Sequence, residues 1–314
     1  MVRIILSLLL VVFLGTETAL RLFFPVYEKK LVIQSIPGLN HEVKYERNQY
    51  GFRTRSLNTK KKHLNTIRII SLGSSTTDQP YQNIEDMWSM LLENKLNDEF
   101  GKLGYKIELA ARGREAETVR ERLKWAREQL LDLRPDMVIL LEGINDLRLK
   151  DSSRSGLSLS WMETCERLSQ LCHRIHAVKK MFTDPPLPVL SLTNGGLPLR
   201  QEPDRVAQFS EGIGDLLRYL ATNNIETVVI GQPTGSGGPL EKELMLYNDA
   251  QKAQALSVQA TYLPLDKFIP KTPQYFFDEY NFTDKGSHAV ASAVYPVVAQ
   301  AIHRVIRKRA LASN

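Results

Sequence analysis

From about residue 67 onward, apolar residues fall into short blocks separated by polar turns. Ile67-Arg68-Ile69-Ile70-Ser71-Leu72 is a β-branched run that suits a buried strand and stops at Gly73. Between Ile84 and Asn97 the apolar positions are Ile84, Met87, Trp88, Leu91, Leu92 and Leu96, a helical spacing. Lys106 to Ala110 reads as a short strand. Glu117 to Leu133 reads as one long helix with Val119, Leu123, Ala126 and Leu130 on one face and Pro135 as its stop. Met137-Val138-Ile139-Leu140-Leu141 is fully apolar and predicts a central strand. After residue 203 the alternation resumes. A helix is expected over about 203–222, a strand at Thr227–Ile230, a helix over 240–257, a strand near 260–265 and a last helix over 284–308. Strands that alternate with helices of this length imply a doubly wound α/β fold, with a parallel sheet covered by helices on both faces. Ligands in such sheets bind at the carboxyl ends of the strands.

Three stretches depart from that rhythm. Ile4 to Leu14 is uninterruptedly apolar, and Ala19 to Phe24 continues it up to Pro25. A cleaved signal peptide and an uncleaved anchor both fit a segment of this kind. Thr16–Ala19 makes a poor cleavage site. A single helix over 4–24 comes close to the ~20 residues that span a bilayer and would set Glu17 one turn from Arg21. The anchor is the favoured reading, with residues 1–25 as membrane segment and the domain outside the cytoplasm. Residues 26–66 read as a polar lead-in with no persistent period. Residues 150–203, rich in Ser, Pro and Gly, read as an insertion at the strand ends, a candidate lid with a helix near 160–181.

Composition changes this picture little. The chain has 314 residues, 43% of them hydrophobic, and a formal net charge of +6. That suits one large domain with a full core. The positive charge fits a mildly basic surface or attraction to anionic membrane or glycan. Nucleic acid is not indicated, because no zinc spacing, basic aromatic ribbon or recognition helix is present. The two cysteines, Cys165 and Cys172, would lie roughly 10 Å apart along a helix, too far to bond; a non-helical segment would leave a disulfide open. They read as packing residues together with His173 and His176, and no metal set is expected.

Chemistry concentrates in loops that follow strands. Gly73-Ser74-Ser75-Thr76-Thr77 places Ser75 at the entry to a helix, where the positive end of the helix and the serine's own N–H favour a developing oxyanion. A Ser/Thr helix cap is the plain alternative. Ala111-Arg112-Gly113-Arg114-Glu115-Ala116-Glu117-Thr118 can offer a backbone N–H. Gly143-Ile144-Asn145-Asp146, directly after the apolar strand, presents an Asn amide or simply makes a turn. Toward the C-terminus, Tyr275-Phe276-Phe277-Asp278-Glu279-Tyr280-Asn281-Phe282-Thr283-Asp284-Lys285-Gly286 leads into the last helix, with Thr283 as a candidate cap.

These four blocks, in this order, resemble the SGNH hydrolases, the GDSL-like lipase and acylhydrolase family. The resemblance runs over about 67–308, apart from the insertion. The lead-in Asn48-Gln49-Tyr50-Gly51-Phe52-Arg53 looks like that of membrane-anchored members. It implies a flavodoxin-like sheet, hydrolysis of an ester and no cofactor. Carried over residue by residue, the nucleophile is Ser75. The oxyanion donors are the N–H groups of Ser75 and Ala116, with Gly113 as alternative to Ala116, and the Asn145 side chain. The orienting carboxylate is Asp278. Three positions depart from the family. Ser74 stands for the usual Asp, Ala116 for the usual Gly, and Asn281 for the catalytic His. An amide cannot accept the serine proton near neutral pH. His288, about 7 Å into the last helix, is the nearest substitute, while His41, His63, His173, His176 and His303 have no motif support.

Two functions follow from the resemblance. One is an esterase, lipase or O-deacetylase acting on an acylated small molecule, glycan or lipid, with membrane contact through residues 4–24. The other is a catalytically impaired relative that binds an acylated glycan or assists envelope assembly. The retained Ser75, Asn145 and Asp278 fit the first, and Asn281 fits the second.

Overall fold

The computed structural model describes residues 12–19, 29–32, 43–48, 50–55, 57, 62–114, 117–148 and 203–312. The chain divides into two compact units. One comprises residues 29–149 and 196–314, the other residues 1–28 and 150–195. In the latter only residues 12–19 are described, and they are helical. The rest of the expected 4–24 span, including Arg21, lies outside the described residues. So does nearly all of the expected insertion, with its helix and with Cys165, Cys172, His173 and His176.

The larger unit is built on a five-stranded, all-parallel sheet. Its strands are β3 (Thr66–Gly73), β4 (Lys106–Gly113), β5 (Met137–Leu141), β6 (Glu226–Ile230) and β7 (Thr261–Leu263), in the spatial order β4-β3-β5-β6-β7. Among the strands of this sheet that is the doubly wound order 2-1-3-4-5, as the flavodoxin-like expectation required. Alternation along each strand divides the core. Ile67, Ile69, Ile107, Met137, Ile139 and Val228 face one side. There they meet α2 (Trp88–Phe100) and α7 (Asp284–Ala312). Ile70, Leu72, Ala110, Val138, Leu140 and Val229 face the other. They pack on α3 (Val119–Trp125), α5 (Pro203–Thr222) and α6 (Pro239–Ser257). One turn of helix, α1 (Ser75–Asp78), follows β3, and α4 (Ile144–Arg148) follows β5.

The structure corrects the expectations at three places. The lead-in is not devoid of strands: β1 (Lys29–Val32) pairs antiparallel with β2 (Val43–Glu46), and Arg53 bridges to Ala111 at the outer edge of β4. Its alternation went unread because the strands are only four residues long and mostly polar. The helix expected over 117–133 is three pieces. α3 passes into a π-helical turn at Ala126–Leu130 and a 3-10 turn at Leu131–Leu133. Apolar spacing alone cannot distinguish those geometries. Strand β4 runs three residues further than expected, so Ala111–Gly113 are strand and not loop.

Among the described residues, the only helix long and apolar enough to cross a membrane is α7. It is a core helix. Val290, Ala291, Val294, Val298, Ala301 and Ile302 are buried against the sheet and α2.

Candidate active site

Gly73 ends β3 because the chain turns too tightly there for a side chain. A Cβ would sit 2.1 Å from Thr77 Oγ1 and 2.6 Å from the Leu141 carbonyl. Ser74 is extended, and α1 then makes a single turn that stops at Gln79, whose φ of 48° is left-handed. Ser74, Thr76, Thr77 and Asp78 are buried, and Ser75 alone in this turn is partly exposed. Among the described residues no group hydrogen-bonds its hydroxyl. Ser74 Oγ lies 3.0 Å from Thr76 Oγ1, which donates to Gln232 Oε1 at 3.1 Å. The helix is only four residues long, so the macrodipole expected to favour an anion at Ser75 is small. What remains at this point is local N–H geometry.

The lead-in reaches this turn. Arg47 forks onto the Asp78 carboxylate, Nη2 to Oδ2 at 2.6 Å and Nε to Oδ1 at 3.2 Å, and Tyr45 Oη donates to Oδ2 at 2.7 Å. Arg53, fully buried, donates to the carbonyls of Asp78 (2.8 Å), Gln79 (2.5 Å) and Gln82 (2.8 Å). Both guanidinium groups lie over the Tyr45 ring, at 5.2 and 4.8 Å.

The ends of β4 and β5 flank the turn. Gly113 lets β4 approach α1: a Cβ would meet the Asp78 backbone nitrogen at 2.3 Å and the Ser74 carbonyl at 2.4 Å. Its carbonyl accepts from Arg47 Nη2 at 3.2 Å, on the lead-in side. Gly113 is paired across from Gly73, so strand alternation turns its N–H to that same side. Gly113 thus packs closely against α1. Ala116 lies outside the described residues. Asn145 is buried, and its Nδ2 donates to the carbonyls of Arg114 (2.7 Å) and Glu117 (2.9 Å). Both amide hydrogens are thereby engaged in tying the β5 loop to the β4 loop.

Beneath that tie lies an ionic cluster that sequence reading missed. The Glu117 carboxylate accepts from Arg112 (2.5 and 2.8 Å) and from Arg122 Nη1 (2.6 Å). Arg112 also lies over Trp125 at 4.1 Å. Arg122 Nε abuts the fully buried Glu142 carboxylate without hydrogen-bond alignment. Burial pushes the Glu142 carboxyl up to about 8, against the pull of Arg122. Burial also raises Asp146 to about 6, although the Val119 N–H opposes it. At Glu117 burial pushes upward as well, but Arg112 and Arg122 outweigh it and hold the carboxyl below its usual range.

The last block is a loop before α7. Asp278 Oδ1 accepts the N–H groups of Tyr280 (2.9 Å) and Asn281 (2.7 Å), and Oδ2 accepts Asn281 Nδ2 at 2.7 Å. Phe276 bridges to Phe282, and the Gly235 N–H donates to the Glu279 carbonyl at 2.7 Å. Tyr81, beyond the serine turn, packs edge-on against Phe277 with ring centroids 5.0 Å apart.

A family model described as the GDSL-like Lipase/Acylhydrolase family matches residues 71–289. The chain belongs to that family. No curated protein matches the sequence. Solved structures that it resembles include LAE5, an alpha/beta hydrolase enzyme from the metagenome of Lake Arreo in Spain. That match has 15% identity and a TM-score of 0.49, and covers 74% of this chain and 94% of that one. TesA is 14% identical with a TM-score of 0.49, over 74% of this chain and 99% of the other. A variant of Axe2, an acetyl-xylooligosaccharide esterase from Geobacillus, is 13% identical with a TM-score of 0.48, over 72% and 91%.

The described residues of the four blocks read from the sequence lie at the carboxyl ends of the parallel strands and in the loop before α7. Among the described residues no histidine hydrogen-bonds Asp278. His288 and His63 are exposed, and no hydrogen bond joins either to Asp278. His303 lies about 28 Å along α7 from its start, stacked on Phe100 and 3.7 Å from Glu99. His41, His173 and His176 fall outside the described residues. The serine turn's outside partners, Arg47 and Arg53, leave no sequence signal of that role, although Arg53 closes the Asn48–Arg53 motif.

Proposed function

We propose that this GDSL-like protein binds acyl esters carried on a glycan, lipid or small molecule, with Ser75 facing the acyl carbonyl, and that it hydrolyses them slowly for want of a base. The observation that carries the reading is the 2.7 Å contact from Asn281 Nδ2 to Asp278 Oδ2. It occupies the place of the imidazole N–H that a carboxylate orients in a serine hydrolase. An amide in that position can donate to Asp278 but cannot take the Ser75 proton. The attacking hydroxyl must pass its proton to water, which forfeits the ~10²–10⁴-fold contributed by a positioned base. The Ser75 N–H is left as an oxyanion donor, and Ala116 is its candidate companion. Asn145 joins them only by releasing a carbonyl.

Turnover of a small activated acetate ester by the wild type, Ser75→Ala and Asn281→His tests this. Asn281→His is expected to raise turnover by about 10²-fold or more, and Ser75→Ala to lose the wild-type rate. The second reading is a pure binding protein, and the commitment of both Asn145 hydrogens favours it. Silence in all three proteins, with no labelling of Ser75 by a serine-reactive phosphonate, would sink the hydrolase reading in favour of binding. We further place residues 4–24 in a membrane with the domain on the extracytoplasmic side. Protease treatment of cells stripped of any outer envelope, with the inner membrane intact, that spares the domain would refute that side.

A further inference from the structure

A four-residue helix cannot hold itself. Nearly all its carbonyls lack helical partners, and one turn does not repay the cost of nucleation. Only the Ser75 carbonyl of α1 finds a partner within the turn, the Gln79 N–H at 2.7 Å. Two of the other three are capped from elsewhere. Trp88 Nε1 donates to the Thr76 carbonyl at 3.0 Å, and Arg53 donates to Asp78 and Gln79. Gln79, moreover, is a non-glycine residue held at a left-handed φ of 48°, a conformation that needs outside support. Arg47 adds a charge-assisted fork on the Asp78 side chain, and its Nη2 also reaches the Gly113 carbonyl of β4. Arg53 is itself fixed to the edge of β4. Its N–H donates to the Ala111 carbonyl at 2.9 Å, and its carbonyl accepts the Ala111 N–H at 3.0 Å. The segment 43–55 is therefore a strap that runs from β2 along the edge of β4 and grips the turn behind Ser75.

We propose that Arg47 and Arg53 are positioning residues that set Ser75 for reaction by holding α1 and Gln79 from outside. This rests on Ser75 being the reacting hydroxyl. The strap grips Asp78, Gln79 and Gln82 and makes no hydrogen bond to Ser75 itself, so its loss is expected to act on kcat and not on substrate affinity.

The test uses the full chain with Arg47→Gln, Arg47→Lys, Asp78→Asn and the Arg47→Gln/Asp78→Asn pair. Amide hydrogen exchange of residues 74–82 is followed beside that of strand 137–141. The expected result is exchange about tenfold faster or more in 74–82 for Arg47→Gln and Asp78→Asn, the size of one charge-assisted contact. Strand 137–141 is expected to stay at its wild-type rate, Arg47→Lys to recover part of the loss, and the pair to match either single variant. In an Asn281→His background, Arg47→Gln is expected to lower kcat about tenfold with KM within about twofold. Unchanged exchange in 74–82, or equal acceleration in 137–141, overturns the proposal, and so does a loss carried by KM. If no variant turns over ester, the hydrolase reading fails, and the exchange of 74–82 alone decides whether the strap holds the turn.

Discussion

The turn that carries Ser75 and the loop that carries Asp278 and Asn281 are held by different kinds of bond. The turn depends on partners far away in sequence: Tyr45, Arg47, Arg53, Trp88 and Gln232. It is buried, apart from Ser75 itself. The loop depends mostly on itself. Asp278 binds residues two and three positions on, and Phe276 bridges to Phe282. A residue in the turn cannot change without disturbing contacts with several elements. Asn281 can be exchanged for another hydrogen-bonding residue at little structural cost. On the proposed reading, this contrast lets the base be lost from the loop while the turn that carries Ser75 stays intact.

Four substitutions test that contrast, ordered from the largest expected loss of stability to the smallest. Arg53→Met removes the donor from the carbonyls of Asp78 and Gln82 and leaves Gln79 with only the Gln82 N–H. It is expected to lower unfolding free energy by roughly 3 kcal/mol or more in urea titration. Gly113→Ala forces a Cβ onto the Asp78 backbone, which cannot swing aside as a side chain tip would. A loss of roughly 1–3 kcal/mol is expected, with slower phosphonate labelling of Ser75, and a neutral effect would mean that β4 and α1 are not in close contact.

The third test uses pH. Glu142 and Asp146 both have folded pKa values raised by burial, to about 8 and about 6. The native state therefore holds protons that the unfolded chain has released, and stability falls as pH rises from the ordinary carboxylate range through these values. Glu142→Gln is expected to flatten the fall between pH about 6 and 8, where Asp146 has already ionised. Thermal melts across that range would read it, and an unchanged slope would show that Glu142 is not the group responsible. The smallest effect is expected in the loop. Asn281→Ala removes one hydrogen bond to Asp278 and should cost only about 1 kcal/mol. A cost as large as that of Arg53→Met would erase the distinction between the two regions.

Much of the sheet was legible in the residues. Met137–Leu141 and Pro203–Thr222 have the boundaries read from the sequence, because a fully apolar run and a sustained helical period each leave one choice. The four-block order pointed to the family, and it set Asp278 and Asn281 three residues apart, although their hydrogen bond is seen only in the structure. Side chains that close in sequence meet without help from the rest of the fold. The sequence alone also determined that an amide, and not an imidazole, stands at 281.

Tertiary structure decided the rest. Arg47 and Arg53 reach α1 across 31 and 25 positions, and Asn145 reaches Arg114 across 31. Such pairs leave no periodic trace, since a lone arginine or asparagine looks the same in a polar loop as in a buried fork. The strap, the engaged Asn145 amide and the ionic cluster around Glu142 exist only because parallel strands bring distant loops to one end of the sheet. There burial presses polar groups to find a partner or change their charge.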